Sequence, residues 1–139
     1  MKKLHTLALA VALSLPALAS AEIVVIVSAA NGNASLTKEQ AEQIFMGRST
    51  AFPNGSSATP VDQASGATRD GFYQKLNGKS ADQVKAHWAK LEFTGKGKPP
   101  AEVGNGKAVS DAVAKSSSAV GYVEKSDMGS GVKTVFSLP

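Results

Sequence analysis

Five consecutive residues, Ser65-Gly66-Ala67-Thr68-Arg69, bring together the groups that grip a small oxyanion. They open an apolar-periodic stretch, so they mark a helix start, where backbone N–H groups lack partners and carry partial positive charge. Gly66 allows close approach of a ligand, Ser65 and Thr68 add hydroxyls, and Arg69 adds a planar cation. The same pattern is satisfied without a ligand if Ser65 is an ordinary N-cap and Arg69 pairs with Asp62 or Asp70. As a surface side chain, Arg69 is expected to affect stability by no more than about 1 kcal/mol when replaced. Ser28 and Asn31 are secondary binding candidates, because they follow the first strand and ligands often sit at strand carboxyl ends.

Other reactive-looking residues support less. His87 lies beside Trp88 on an apolar helix face, and no Gly-x-Ser-x-Gly elbow exists to supply it with a nucleophile. That reads as a structural histidine, with a small hydrolase built on His87 as the enzymatic rival. Gly78-Lys79-Ser80 ends like a phosphate-binding loop, but Tyr73 stands where that motif needs its first glycine. Lys96 and Lys98 could draw phosphate groups, but a solvated loop is the better reading of them. Trp88, Phe72, Phe93 and Tyr122 are expected in the core or partly buried.

Composition narrows the chemistry further. The chain has 139 residues, 42% apolar and 19% charged, with no cysteine and two histidines. Thiol catalysis, disulfide frameworks and thiolate or histidine-rich metal sites are excluded, and no motif implies a cofactor. Lys2, Lys3 and His5, the apolar run Leu7 to Leu15, Pro16 and Ala19-Ser20-Ala21 make a secretory leader over residues 1–21. Its apolar run is too short to span a bilayer, and Glu22 rather than cysteine follows the cut, so no membrane or lipid anchor is expected. The leader carries away Lys2 and Lys3, half of the net +4 charge. The remainder suits small anions and lacks the dense basic stripe that nucleic acid requires. Periplasmic or secreted location follows.

The elements that must hold these groups can be read along residues 22–139, which form one domain. Ile23 to Val27 is a continuous β-branched strand of the kind covered on both faces. Thr37 and Gln40 form a capping box, with Leu36 at the staple position, for a helix that carries Ala41, Ile44 and Phe45 inward and stops at Gly47. Ala58 to Gln63 is a short strand centred on Val61. Ser65 then opens a second helix bearing Phe72 and Leu76 and ending at Gly78. Ser80 and Gln83 cap a third, whose buried stripe is Val84, Trp88 and Leu91. Thr94 to Pro100 must be a loop. Val109, Ala112 and Val113 mark a fourth helix, and Val120 to Val123 and Val132 to Phe136 are strands. The order β-α-β-α-α-α-β-β implies a single layered α/β domain with a mixed sheet flanked by about four helices.

Several segments in this order resemble one family. Leu36-Thr37 followed by Gln43-Ile44-Phe45-Met46-Gly47-Arg48 is similar to the L-T-x-x-Q-x-x-x-I-F-x-G segment of the phosphate-binding proteins of ABC transporters, the type-2 periplasmic binding proteins. Ser65-Gly66-Ala67-Thr68 resembles their Ser-Gly-Thr phosphate loop, and Val120-Gly121-Tyr122-Val123 their closing I-G-Y-V strand. Arg69 to Tyr73, Trp88 to Gly97 and Lys98-Pro99-Pro100 resemble segments of the small, secreted, single-lobe relatives. The likeness covers nearly all of residues 22–136.

What the resemblance implies is one lobe of a periplasmic binding protein, non-catalytic, recognising inorganic phosphate or a similar oxyanion. Ser65, Gly66, Ala67, Thr68 and Arg69 would form the binding loop. Two positions depart from the family pattern: Val61 stands where its members carry an arginine, and Ala67 where they carry threonine, leaving Thr68 and Arg69 as substitutes. An open half-site binds weakly unless a second surface covers it. The rival reading is a cell-envelope interaction module that has lost its ligand and docks on a transporter or envelope partner.

Overall fold

Why the chain folds as it does is clearest at its first strand. The computed structural model describes residues 21–139, so the predicted leader lies outside the described residues apart from Ala21. Strand β1 (Ile23–Ser28) is buried along its whole length. Its Ile23, Val25 and Val27 face one apolar cluster and its Val24 and Ile26 another. A strand whose side chains alternate between two cores needs apolar residues at every position, which is what this run supplies.

The helices divide between the two faces. Helices α1 (Lys38–Phe45), α2 (Ala67–Asn77) and α3 (Ala81–Phe93) bury Ile44, Phe45, Phe72, Leu76, Val84 and Trp88 in the first cluster. Helix α4 (Gly106–Ala114) closes the second with Val109 and Val113. The capping boxes at Thr37/Gln40 and Ser80/Gln83 both form. Gly47 ends α1 at φ 74°, and a side chain there would strike the Trp88 ring, so only glycine serves.

The remaining strands are β2 (Thr59–Gln63), β3 (Ala101–Val103), β4 (Ala119–Glu124) and β5 (Val132–Leu138), in spatial order β3-β2-β4-β1-β5. Only β1 runs against the others: β2 pairs parallel to β3 and β4, and β1 pairs antiparallel to β4 and β5. The carboxyl ends of β2, β3, β4 and β5 therefore share one edge of the sheet with the amino end of β1. Gly121 lets α4 lie close on β4, since any side chain there would collide with Val109. The mixed α/β architecture matches the expectation. Strand β3 was not foreseen, because three residues show no alternation to read. Phe93, expected to pack, is 93% exposed at the end of α3.

Candidate functional site

Strand β2 delivers the chain to its carboxyl end at Asp62 and Gln63, both buried. Pairing between β2 and β4 covers only Thr59↔Ala119 and Pro60↔Val120, so the two strands part beyond that point. Side chains fill the opening. Gln63 Nε2 donates to the Tyr122 carbonyl at 2.7 Å, replacing a ladder bond. Asp62 accepts from the Tyr73 hydroxyl at 2.7 Å, from the Tyr122 hydroxyl, and from the Gln63 amide at 2.8 Å. Burial first, and then the facing Asp62 carboxylate, hold both phenols well above their usual pKa. Phe72 stacks on Tyr122 with ring centres 3.8 Å apart, locking the cluster under α2.

The chain then turns through Ala64, Ser65 and Gly66 into α2. The N-cap is Gly66 in extended backbone, not Ser65, and no side chain caps the helix. Ser65 lies one residue too early for its hydroxyl to reach the first-turn amides. The first intrahelical bond runs from the Asp70 amide to the Gly66 carbonyl at 3.0 Å. The amides before it have no intrahelical partner, and Gly66 to Arg69 line a cleft of about 270 Å³. By contrast, α1, α3 and α4 are each capped by a side chain, from Thr37, Ser80 and Asn105.

Across the cleft stand Gly104, Asn105 and Gly106 at the start of α4, so two helix amino ends converge. Glu124, at the end of β4, and Asp127, in the 3₁₀ turn that follows, complete the wall. The Thr68 hydroxyl donates to Glu124 Oε1 at 3.1 Å. Asp127 packs its carboxylate against the Gly106 backbone, where any side chain would strike it. The cleft thus offers backbone donors and carboxylate acceptors together. That combination suits an oxyanion that still carries a proton, because a carboxylate repels a fully deprotonated one but accepts a hydrogen bond from an O–H.

Arg69 is placed differently from its expected role. Its guanidinium donates to Glu102 Oε1 at 2.7 Å and to the Gln63 carbonyl at 3.3 Å, and lies 3.8 Å from Asp62 Oδ2. Burial alone would lower its pKa, but the Asp62 and Glu102 carboxylates outweigh that and raise it. The side chain is a brace between β2, β3 and α2, which is the ligand-free alternative for this residue. With only 18% of that side chain exposed, the surface estimate for its replacement no longer applies. Arg69→Ala is expected to lower unfolding free energy by about 2 kcal/mol, measured by urea denaturation, because a buried carboxylate loses its counter-charge.

Ser28 and Asn31 sit at the opposite end of the sheet from this cleft, since β1 runs against β2. The Ser28 hydroxyl accepts from the Ala30 amide, and Asn31 accepts twice from Asn33 and donates to the Ser117 carbonyl at 2.9 Å. They bind their own loop and share no surface with Ser65 to Arg69. His87 Nε2 donates to the Met46 carbonyl at 2.8 Å, tying α3 to the end of α1. Among the described residues no group of three potential ligands could hold a metal ion, and no helix is long and apolar enough to cross a membrane. Sequence reasoning missed Glu124, Asp127 and the Gly104–Gly106 turn. Their approach to Ser65 depends on β4 lying beside β2, which no local motif encodes.

By sequence, the chain matches no family model and no curated protein. Its fold does match solved structures. An ABC-type phosphate transport receptor from Vibrio cholerae aligns with TM-score 0.63 and 19% identity, over 83% of this chain and 46% of that one. The fold is that of one lobe of a phosphate-type substrate-binding protein. A putative phosphate ABC transporter substrate-binding protein from Clostridium perfringens, with bound phosphate, gives 0.64 and 20% identity over 83% and 45%. PstS from Borrelia burgdorferi gives 0.61 and 13% over 83% and 47%. The chain thus spans less than half the length of these structures. The resemblance read from the sequence holds at the level of the fold.

Proposed function

We propose that this chain is an exported, non-catalytic lobe that recognises phosphate or a similar protonated oxyanion in the cleft between α2 and α4. The observation that carries the reading is the uncapped amino end of α2, opening on that cleft within a fold shared with phosphate-type binding proteins. Backbone amides from Gly66, Ala67 and Thr68 would donate, with the Thr68 hydroxyl exchanging Glu124 for the ligand. Arg69 stays paired with Asp62 and Glu102 and serves by bracing β2 and β3 against the start of α2. Export rests on the leader read at residues 1–21, and the non-catalytic reading on the similarity in fold to a transport receptor and a substrate-binding protein.

The cleft is open to water, so affinity is low. A few charge-assisted bonds contribute about 1.5–3 kcal/mol each at best, against an association cost of at least about 4 kcal/mol. The expected dissociation constant is in the millimolar range, equivalent to about 4 kcal/mol. A second lobe or a transporter partner covering the cleft would tighten it.

Calorimetric titration tests this. Phosphate is expected to give saturable heat at millimolar concentration, with sulfate at least about tenfold weaker because it brings no proton to Glu124 or Asp127. Glu124→Gln is expected to narrow that difference, since the amide donates to either anion. No heat with phosphate, sulfate or arsenate from the folded protein would replace this reading with the ligand-free envelope interaction module, which the pairing of Arg69 with Asp62 and Glu102 favours.

A further inference from the structure

Four of the chain's five asparagines, Asn31, Asn54, Asn77 and Asn105, are followed by glycine. Glycine has no Cβ, so its amide nitrogen can approach the side-chain carbonyl carbon of the residue before it. Attack there closes a five-membered imide and expels the side-chain nitrogen as ammonia, one reason asparagine is a thermolabile residue. The fold treats the four pairs differently.

Three of them are held. The Gly55 amide donates to the Phe52 carbonyl at 2.8 Å and the Gly78 amide to the Gln74 carbonyl at 3.0 Å, so neither nitrogen is free to attack. Asn54 Oδ1 also accepts from the Ser56 amide and hydroxyl, and Asn77 Nδ2 is buried at the end of α2. Asn31 is buried, and its bonds with Asn33 and the Ser117 carbonyl fix its carboxamide. Asn105 differs on each count. It is exposed, in extended backbone, and its side chain makes one bond among the described residues, Oδ1 accepting from the Ala108 amide at 2.9 Å. Gly106 is the first residue of α4, and its amide has no acceptor among the described residues.

The surroundings of Asn105 also favour the reaction. Both reacting groups lie at the positive end of α4, which stabilises the Gly106 nitrogen as it loses its proton. The Ala108 amide donates to the oxygen on which negative charge develops in the tetrahedral intermediate. The bond that caps α4 therefore also assists attack. We infer that Asn105 is the chain's preferred site of spontaneous deamidation, and that the carboxylate formed there weakens the oxyanion cleft that Asn105 lines. A bond forms between the Gly106 nitrogen and Asn105 Cγ, the Cγ–Nδ2 bond breaks, and the Gly106 amide hydrogen leaves with the ammonia. Water then opens the imide and returns a hydrogen to the Gly106 nitrogen. Opening at Cγ gives aspartate, and opening at the main-chain carbonyl gives isoaspartate, whose backbone runs through Cβ. Either product adds one negative charge to a wall that already holds Glu124 and Asp127. The effect on the cleft rests on the oxyanion reading; the deamidation does not.

Incubation of the folded protein at mildly alkaline pH, followed by peptide mass spectrometry, tests the site. The peptide containing Asn105 is expected to gain the mass of an amide-to-carboxylate exchange before those containing Asn31, Asn54 or Asn77. Asn105→Ser, which keeps a capping hydroxyl, should abolish that gain. Asn105→Asp is a cap of equal quality, so thermal unfolding should match the parent protein. Its phosphate affinity, by calorimetry, should fall about fivefold, the penalty of a like charge at contact range in water. A gain that comes first or equally at another pair, or none at Asn105, overturns the inference. Undiminished phosphate binding by Asn105→Asp, where the parent protein binds, overturns its effect on the cleft. A parent protein that binds no phosphate would count against the oxyanion reading and remove that effect with it, while the peptide masses still decide the site.

Discussion

Asp62→Ala is expected to lower the unfolding free energy by about 3–5 kcal/mol, a large share of the roughly 5–15 kcal/mol typical of a domain. The carboxylate is 1% exposed and accepts from Tyr73, Tyr122 and the Gln63 amide, with Arg69 nearby as counter-charge. Removing it strands those donors and leaves a cavity where β2 and β4 part. Asp62→Asn retains the shape and one acceptor oxygen, so its cost should be clearly smaller. Urea denaturation checks both variants, a lower midpoint at unchanged slope being the expected form of the result. If Asp62→Ala matched the parent protein, the cluster would contribute nothing to the fold. The oxyanion cleft would then rest on a less rigid support, because α2 is anchored to β2 through Asp62, Tyr73 and Arg69.

The second large effect is alkaline. Both tyrosines of the chain donate to Asp62, so tyrosinate absorbance reports on this cluster alone. Burial, and then the carboxylate, raise both folded pKa values above the ordinary phenol value of 10.0. A raised folded pKa means that the unfolded chain releases its phenolic protons first. The stability contributed by the two hydroxyls is therefore fully present below about pH 10 and falls as pH rises beyond it. Two such groups give a slope of up to about 2.7 kcal/mol per pH unit. Tyrosinate absorbance is expected to stay flat until the protein unfolds and then to rise in one step, together with the loss of helical circular dichroism. A gradual rise centred near pH 10 with the fold intact would show that the phenols are not held as described.

Much of the architecture was legible because it is written locally. The run Ile23 to Val27 announces a strand between two cores, and Thr37/Gln40 and Ser80/Gln83 announce helix starts through reciprocal bonds spanning three residues. The start of α2 was legible too, but its cap was misread: Ser65 has the right chemistry and the wrong register, and Gly66 takes the position instead. The rest depends on pairings across long sequence separations. Nothing near Glu124 indicates that β4 lies beside β2, and nothing near Ser28 indicates that β1 runs opposite to its neighbours. Those two facts bring Glu124 and Asp127 to the cleft and take Ser28 and Asn31 away from it. For Arg69 the sequence offers either a ligand cation or a partner of Asp62 or Asp70, and the structure gives Asp62 together with a partner the sequence does not indicate. Its partner Glu102 lies on β3, a strand of three residues with no pattern of its own. Phe93 is expected in the core or partly buried from its residue type, but it falls on the outward side of the last turn of α3.

The central claim, an oxyanion held by the first turn of α2, is tested most directly by following backbone amide resonances of the ¹⁵N-labelled protein during a phosphate titration. The expected result is saturable movement of Gly66, Ala67 and Thr68, together with the Gly104–Gly106 turn across the cleft, while Ala29 to Asn33 at the far end of the sheet stay fixed. Movement spread evenly over exposed lysines, or none at Gly66 to Thr68 at tens of millimolar phosphate, would contradict it.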